Sequence, residues 1–274
     1  MVGSLRHGIV KSIKSLIYAR SGEPYTINGH TLRYMPGTRP VRLHYIKSTN
    51  RNTRYDALQV KWLAENLKEG DTAIDIGAHY GVYSILMAAL CGSTGNVIAF
   101  EPDPYAREML ARNLALNPNI KKPVVEAVAC SDAAGEATLF SRGGNAQSSL
   151  VRSAVEFAPE HKSEQFTVPL VTLDSYIADN GLAVPRWVKI DPEGAEIRIL
   201  KGAPSLLASD AGIICELHPY AWPEFGNTFA ELKDIVAASG RRIRYIDEDY
   251  EVGDTATYGT VLLEKRSRNG AIAE

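Results

Sequence analysis

The feature that most constrains the fold is an alternation of short apolar runs with helical segments. Between Thr72 and Leu263 the runs TAIDI, VIAFE, WVKID and IICEL are each followed by apolar residues at helical spacing. This alternation is typical of βαβ units, which place helices on both faces of a parallel sheet. The last runs, RIRYI and TVLLEK, have no helix between them and predict an antiparallel strand pair. The chain is therefore expected to be an α/β protein with a mostly parallel sheet.

The length of 274 residues fits one large domain with a modest appendage. We expect an N-terminal extension over residues 1–55, a main domain over 56–266 and a tail over 267–274. The extension predicts a basic amphipathic helix at its start and one or two hairpins in residues 25–47. The helix is expected to cap the domain or to contact a second subunit of a homo-oligomer, with a membrane surface or an acidic partner as the alternative.

Composition excludes several classes of function. The net charge of −2 and the pI near 6.3 leave no global positive field, so nucleic acid is not expected as the main partner. No apolar run approaches the roughly 18 to 20 residues that span a bilayer. Cys91, Cys130 and Cys215 are isolated in apolar stretches and predict neither disulfides nor a thiolate metal site. The N-terminus lacks a secretory signal pattern, so a cytoplasmic protein is expected.

A glycine-containing turn and a later acid predict a nucleoside site. The segment from Asp75 to Gly81 joins the first strand to a helix, where Gly77 and Gly81 allow a ligand to approach the backbone. The helix start presents free N–H groups. Glu101 ends the second strand, at the place where doubly wound sheets put an acid on ribose hydroxyls.

The residue at the head of this turn indicates which nucleoside binds. A dinucleotide fingerprint needs glycine where Asp75 stands, and a carboxylate there would repel a pyrophosphate. It suits a ligand with an ammonium group, a ribose, an adenine and no phosphate, which describes S-adenosylmethionine. Ser131 and Asp132 suit the adenine amino group, with an ordinary turn as the alternative. The predicted cofactor-binding residues are Asp75, Gly77, Ala78, His79, Tyr80, Gly81, Tyr83, Ser84, Glu101, Pro102, Ser131, Asp132 and Asp191.

Three segments together resemble a known family. They are IDIGAHYGVYS with AFEPDP, VKIDPEGAEIRILKGA, and CELHP. Over roughly residues 56–264 the chain resembles the FkbM family of class I S-adenosylmethionine-dependent methyltransferases. The resemblance implies a Rossmann-like, doubly wound sheet of seven strands with an antiparallel last strand. It also implies O-methylation of a hydroxyl on a sugar, glycan or secondary metabolite.

Two positions depart from the family pattern, and neither removes a required chemical group. His79 stands where the family often has Asn, and Pro192 stands where it often has Val. Residues 1–55 lie outside the resemblance and are expected to carry acceptor specificity or subunit contacts.

The catalytic residues are expected where strands end beyond the cofactor. An alcohol is a poor nucleophile at neutral pH, so a base or a metal should remove its proton. We assign His218 as general base because its unperturbed pKa is about 6.5. Asp191 would orient the acceptor or the imidazole. Glu193 is the third predicted catalytic residue, with the alternative that it is only an acid at a helix N-terminus, where the helix dipole favours it. A divalent cation on these three residues is allowed but not favoured by their spacing.

Some alternatives stay open at this point. N-methylation is one, and a non-catalytic S-adenosylmethionine-binding module is another. A nicotinamide-dependent oxidoreductase would need a third glycine in the turn, where His79, Tyr80 and Val82 stand instead. The loop with Ser148 and Ser149 could form a lid or a plain solvated loop.

Overall fold

The computed structural model describes residues 17–143, 148–156, 162–248 and 251–266. Most of the predicted amphipathic helix and the predicted tail lie outside these residues. Within the described ranges, no helix is both long and apolar enough to cross a membrane.

The elements alternate as the sequence predicted. The strands are β1 Glu23–Ile27, β2 His30–Tyr34, β3 Thr72–Ile76, β4 Asn96–Phe100, β5 Val124–Glu126, β6 Ala129–Cys130, β7 Gly135–Ser141, β8 Glu164–Val171, β9 Trp187–Ile190, β10 Gly212–Leu217, β11 Arg241–Tyr245 and β12 Gly259–Lys265. The α-helices are α1 Arg51–Asn66, α2 Val82–Cys91, α3 Pro104–Ala115, α4 Arg152–Val155, α5 Leu173–Asp179, α6 Glu196–Lys201, α7 Pro204–Ala208 and α8 Phe229–Ala238. Two 3-10 helices span Leu43–Lys47 and Trp222–Phe225.

Seven strands form the central sheet in the order β11-β12-β10-β9-β3-β4-β5. The pairs β10 with β9, β9 with β3, β3 with β4 and β4 with β5 are parallel, and β12 runs antiparallel to both of its neighbours. This confirms the predicted doubly wound, mostly parallel, Rossmann-like sheet with an antiparallel last strand. The strand order reverses beside β3, and such a switch point is where open α/β sheets bind ligands.

The core lies along the central strands. Every residue of β3 is buried, and Ile74 pairs with Ile98 on β4 and with Val188 on β9. These side chains are at most 2% exposed. Full burial of such a side chain stabilises the fold by about 1.5–3 kcal/mol. The central strands are therefore a rigid base for the residues that follow them.

One hairpin of the extension is confirmed, and it is bound to the main domain. Strands β1 and β2 pair antiparallel around the Asn28-Gly29 turn. The amide side chain of Asn117, just beyond α3, accepts from the Arg33 amide at 2.9 Å and donates to the Arg33 carbonyl at 2.7 Å. Further β structure in residues 39–47 was wrong, because Leu43–Lys47 is a 3-10 helix with no buried residue and hence no face for a sheet to cover.

Strands β6, β7 and β8 form a second, small sheet. Strand β8 pairs antiparallel with β7 and parallel with β6. Leu139 and Val168 pack with Ala129 into a separate apolar cluster. This sheet contributes one wall of the cleft described next.

Candidate active site

A cleft lies at the carboxyl ends of β3, β4 and β9. The empty space in it, including the part open to solvent, is about 630 Å³. In the described part of the chain it is lined by three acids and by no lysine or arginine. The lining residues are Ile76, Gly77, His79, Phe100, Glu101, Pro102, Val128, Ala129, Cys130, Leu139, Ser148, Ser149, Leu150, Asp191, Pro192, Glu193 and Ala195.

Gly77 brings two strand ends together at the floor of this cleft. Its φ is +76°, and a β-carbon there would lie 1.9 Å from the backbone oxygen of Asp191. Its amide and that of Ala78 donate to the Phe100 carbonyl, each at 3.0 Å. The close approach of the residue after β9 therefore requires glycine here. Gly77 also lines the cleft, and its predicted contact with a cofactor stays a prediction. Gly81 likewise faces Leu110, 2.8 Å from where its β-carbon would be.

Glu101 is held toward the cleft by backbone donors. One carboxylate oxygen accepts from the His79 amide at 2.6 Å, and the other accepts from the Asp103 amide at 2.8 Å. His79 reaches this position with a left-handed φ of +50°. Burial raises the pKa of Glu101 to about 7. Each oxygen retains a lone pair, so the carboxylate can still accept from ligand hydroxyls.

Asp75 lies behind the cleft rather than in its wall. It is completely buried, and its Oδ2 accepts from the Ser84 hydroxyl at 2.5 Å. Its Oδ1 has no hydrogen-bond partner among the described residues. Burial raises its pKa, with Lys189 opposing that shift. Its predicted contact with a cofactor stays a prediction.

Several other predicted cofactor residues do not line the cleft. Asp132 forms an ion pair with Arg198 at 2.8 Å, and Ser131 is fully buried. Their neighbour Cys130 lines the cleft instead. The predicted residues outside the lining are Asp75, Ala78, Tyr80, Gly81, Tyr83, Ser84, Ser131 and Asp132.

The structure brings the three predicted catalytic residues together. His218 follows β10 and is 1% exposed. Its Nε2 lies 3.4 Å from Glu193 Oε2 and 3.9 Å from Asp191 Oδ1. The other oxygen of Asp191 accepts from Lys189 Nζ at 2.8 Å. Glu193 has a left-handed φ of +53°, and together with Asp191 it lines the cleft.

Glu196 was missed by the sequence reasoning. This fully buried carboxylate lies 2.6 Å from His218 Nδ1. It also accepts from the Trp222 indole at 2.7 Å and from the Gly194 amide at 3.0 Å. These bonds orient the imidazole so that Nε2 faces Glu193. The available signal was an acid inside the apolar segment GAEIRIL, because buried acids need partners.

The surroundings change the protonation expected for His218. Burial lowers its pKa, but Glu196, Glu193 and Asp191 outweigh burial and raise it to about 10. Burial raises the pKa of Glu193 to about 7, with His218 opposing and Asp191 adding to the shift. The ordinary value of about 6.5 used for the base assignment therefore does not hold. The charge of His218 lowers the pKa of Glu193, and the charge of Glu193 raises the pKa of His218.

The same three residues are the candidate metal ligands. Asp191, Glu193 and His218 each offer one donor atom, and these atoms lie within 4.8 Å of one another. Lys189 already contacts the carboxylate of Asp191, and Glu196 already contacts the imidazole of His218. A divalent cation stays an alternative at this position.

The parallel sheet, with a cleft at its switch point that is lined by acids, defines a Rossmann-like α/β protein with a candidate active site. The family model described as the methyltransferase FkbM domain matches residues 75–243, more than half of the chain. The protein belongs to the FkbM methyltransferase family.

Two curated relatives and one solved structure were compared. The hexuronic acid methyltransferase AglP of Haloferax volcanii is 26% identical over 170 residues, covering 61% of this chain and 64% of AglP. The 31-O-demethyl-FK506 methyltransferase FkbM of Streptomyces tacrolimicus is 28% identical over 199 residues, covering 64% of this chain and 70% of that protein. The match to AglP thus spans less than two thirds of that relative. The crystal structure of methyltransferase FkbM from Methylobacillus flagellatus shares 13% identity at a TM-score of 0.45, covering 76% of this chain and 51% of that one.

Proposed function

We propose that this protein is an S-adenosylmethionine-dependent O-methyltransferase that acts on a hydroxyl of a sugar, glycan or secondary metabolite. One observation carries the proposal: a single cleft is lined by Glu101 after β4 and by Glu193 after β9, and Glu193 is paired with His218 Nε2 at 3.4 Å. Relatives named for a hexuronic acid and for an O-demethyl natural product support a hydroxyl acceptor. The net charge of −2 supports a small acceptor over nucleic acid.

The residues of the cleft fit this cofactor. Glu101 would accept from the ribose hydroxyls, and the apolar wall with Cys130 would cover the adenine. Among the described residues, the lining has three acids and no lysine or arginine, which favours a cationic ligand over a pyrophosphate. When bound, S-adenosylmethionine supplies an electrophilic methyl group.

The residues of this chain would position the acceptor and take its proton. Asp191 and Glu193 face the cleft and can accept hydrogen bonds from an acceptor hydroxyl. Since His218 keeps its proton to a pH of about 10, Glu193 is the member of the pair that can take up a proton near neutrality. We therefore assign the base function to the pair, with Glu193 as first proton acceptor. Asp191 would orient the acceptor or the imidazole of His218, and the walls would exclude water.

A binding comparison tests the cofactor assignment. Thermal unfolding and calorimetry are run with S-adenosylmethionine, its demethylated product S-adenosylhomocysteine, and NAD. We expect the first two to raise Tm and NAD to leave it unchanged. Stabilisation by NAD alone would contradict the proposal. Transfer of a labelled methyl group to an acceptor then separates an enzyme from a non-catalytic binding module.

Residues 1–55 are proposed to be an extension of the methyltransferase domain over 56–266. Its hairpin is attached to the domain through Asn117 and Asn113, which accepts from the Met35 amide at 2.7 Å. We propose that it contributes acceptor specificity or subunit contacts.

A further inference from the structure

Two exposed tyrosines flank His218. The rings of Tyr220 and Tyr258 meet the imidazole edge-on, with centroids 5.8 Å and 5.4 Å away. They are 53% and 38% exposed. The Tyr220 hydroxyl donates to Glu193 at 3.0 Å, and the Tyr258 hydroxyl donates to Glu216. The two rings are therefore held in place with part of their surface open, as a platform for a ring-shaped ligand requires.

The charges around this platform are mostly negative. Two cations of the described chain, Lys189 and His218, each already contact a carboxylate, Asp191 and Glu196 respectively. Three further carboxylate contacts surround the platform. His218 Nε2 lies 3.9 Å from Asp191 and 3.4 Å from Glu193, and Glu216 accepts from the Tyr258 hydroxyl.

This charge balance distinguishes neutral from anionic acceptors. A neutral sugar offers hydroxyl donors, and hydrogen bonds to carboxylates such as Glu193 and Glu216 are stronger than neutral ones. A uronic acid would bring its carboxylate against like charges, and such contacts weaken binding. No lysine or arginine of the described chain lines the adjoining cleft to compensate. AglP, by contrast, is named for a hexuronic acid.

We propose that Tyr220 and Tyr258, with Glu193 and Glu216, form the acceptor subsite, and that it takes a neutral polyhydroxylated ring and rejects a carboxylate-bearing one. The proposal rests on the proposed function and names the substrate class of the same site. It predicts an acceptor chemistry different from that of AglP, although the two chains are similar over 61% of this one.

Three matched probes test the proposal on the full chain saturated with S-adenosylhomocysteine. They are methyl β-D-glucopyranoside, methyl β-D-glucuronide, and the methyl ester of that glucuronide, and binding is measured by saturation-transfer NMR and calorimetry. We expect the glucoside and the ester to bind, and the glucuronide to bind about tenfold more weakly or less. Equal or tighter binding of the glucuronide overturns the proposal, and so does failure of all three probes to bind. Failure of S-adenosylhomocysteine itself to bind would instead refute the proposed function.

Substitutions test which residues bind the glucoside and which produce its preference over the glucuronide. Tyr220→Ala should weaken binding of the glucoside about tenfold, since the platform loses a ring. Glu216→Gln should reduce the preference for glucoside over glucuronide by at least about threefold. Glu136→Gln, at an exposed position of β7, is the matched control and should leave the preference unchanged. Variants are compared only if they retain the wild-type affinity for S-adenosylhomocysteine. An unchanged preference in Glu216→Gln would overturn the electrostatic basis of the proposal.

Discussion

The two ends of the cleft each present a carboxylate, but different contacts hold them. At the first end Glu101 accepts from two backbone amides, those of His79 and Asp103. At the second end Glu193 contacts two side chains, the imidazole of His218 and the hydroxyl of Tyr220. A backbone donor is present whatever side chain stands there, whereas a side-chain contact is lost with one substitution. The first end is therefore suited to one fixed ligand, and the second to acceptors that differ among relatives.

The two ends of the cleft also differ in which groups act on the pKa of their carboxylate. Both Glu101 and Glu193 have pKa values near 7, chiefly because they are buried. Around Glu101 backbone hydrogen bonds oppose that shift, while around Glu193 the opposing charge is His218 and the added repulsion comes from Asp191. Substitutions at the second end should consequently change proton transfer, and those at the first end should change cofactor binding.

The largest effect is expected at the second end. His218→Ala should lower turnover by about 10²–10⁴-fold on an acceptor that the wild type methylates, because Glu193 and Asp191 lose the group that orients them. Cofactor affinity by calorimetry should stay within about twofold. His44→Ala, in the 3-10 helix Leu43–Lys47, is the control. If His218→Ala keeps wild-type turnover, or loses only cofactor affinity, the assignment of proton transfer to the second end is wrong.

Gly77→Ala tests the contact that joins the two ends. The added β-carbon would meet the Asp191 carbonyl oxygen at 1.9 Å, so we expect a loss of about 3 kcal/mol or more in the free energy of unfolding by urea. Gly29→Ala shares the left-handed φ, at +81°, but meets nothing within 4 Å. It should cost only about 1 kcal/mol. Equal losses would mean that the backbone angle, and not the contact with β9, requires glycine.

Glu101→Gln tests the first end. An amide has one acceptor oxygen, so one of the amides of His79 and Asp103 would face an NH₂ group instead. We expect S-adenosylmethionine to bind about tenfold more weakly in calorimetry, with turnover at saturation changed less. Glu108→Gln, exposed on α3, serves as the control. A larger effect on saturated turnover than on affinity would assign Glu101 to the chemistry.

The smallest effect is a dependence of stability on pH. The pKa of Glu193 is about 7 in the folded protein and about 4.5 ordinarily, so its stabilising contribution is complete in acid and is lost as pH rises through 7. The raised pKa of His218 acts in the same direction above pH 6.5. The free energy of unfolding should fall between pH 5.5 and 8, and Glu193→Gln should reduce that fall by on the order of 1 kcal/mol. An unchanged slope in the variant would show that Glu193 does not carry the shift.

Much of the fold could be predicted because its signals are local. The runs that became β3, β4, β9 and β10 are continuous apolar segments, and α1 has apolar residues at helical spacing. The same reasoning failed at residues 39–47, where an apparent strand pattern had no buried face. The three residues of the catalytic cluster could also be predicted. Asp191, Glu193 and His218 all follow strands, and the carboxyl ends of parallel strands meet at one edge of the sheet.

The hydrogen-bond partners of the site residues and their protonation states could not be predicted from local sequence patterns. Several contacts of the site join residues that are far apart along the chain. They are the contact of Glu196 with His218, the hydrogen bond from Tyr258 to Glu216, and the packing of Gly77 against Asp191. A pKa depends on the solvent excluded from a group and on the charges nearby, so His218 has a value that its residue type does not reveal.

The order of apolar and polar residues was thus enough to specify a doubly wound sheet and the edge at which its site lies, because periodicity and strand direction are properties of neighbouring residues. Packing alone decided which carboxylates meet the imidazole, how strongly each holds its proton, and which rings stay exposed beside them. Those quantities come from burial and from distances of a few ångströms between separate segments, and such distances exist only once the chain has folded.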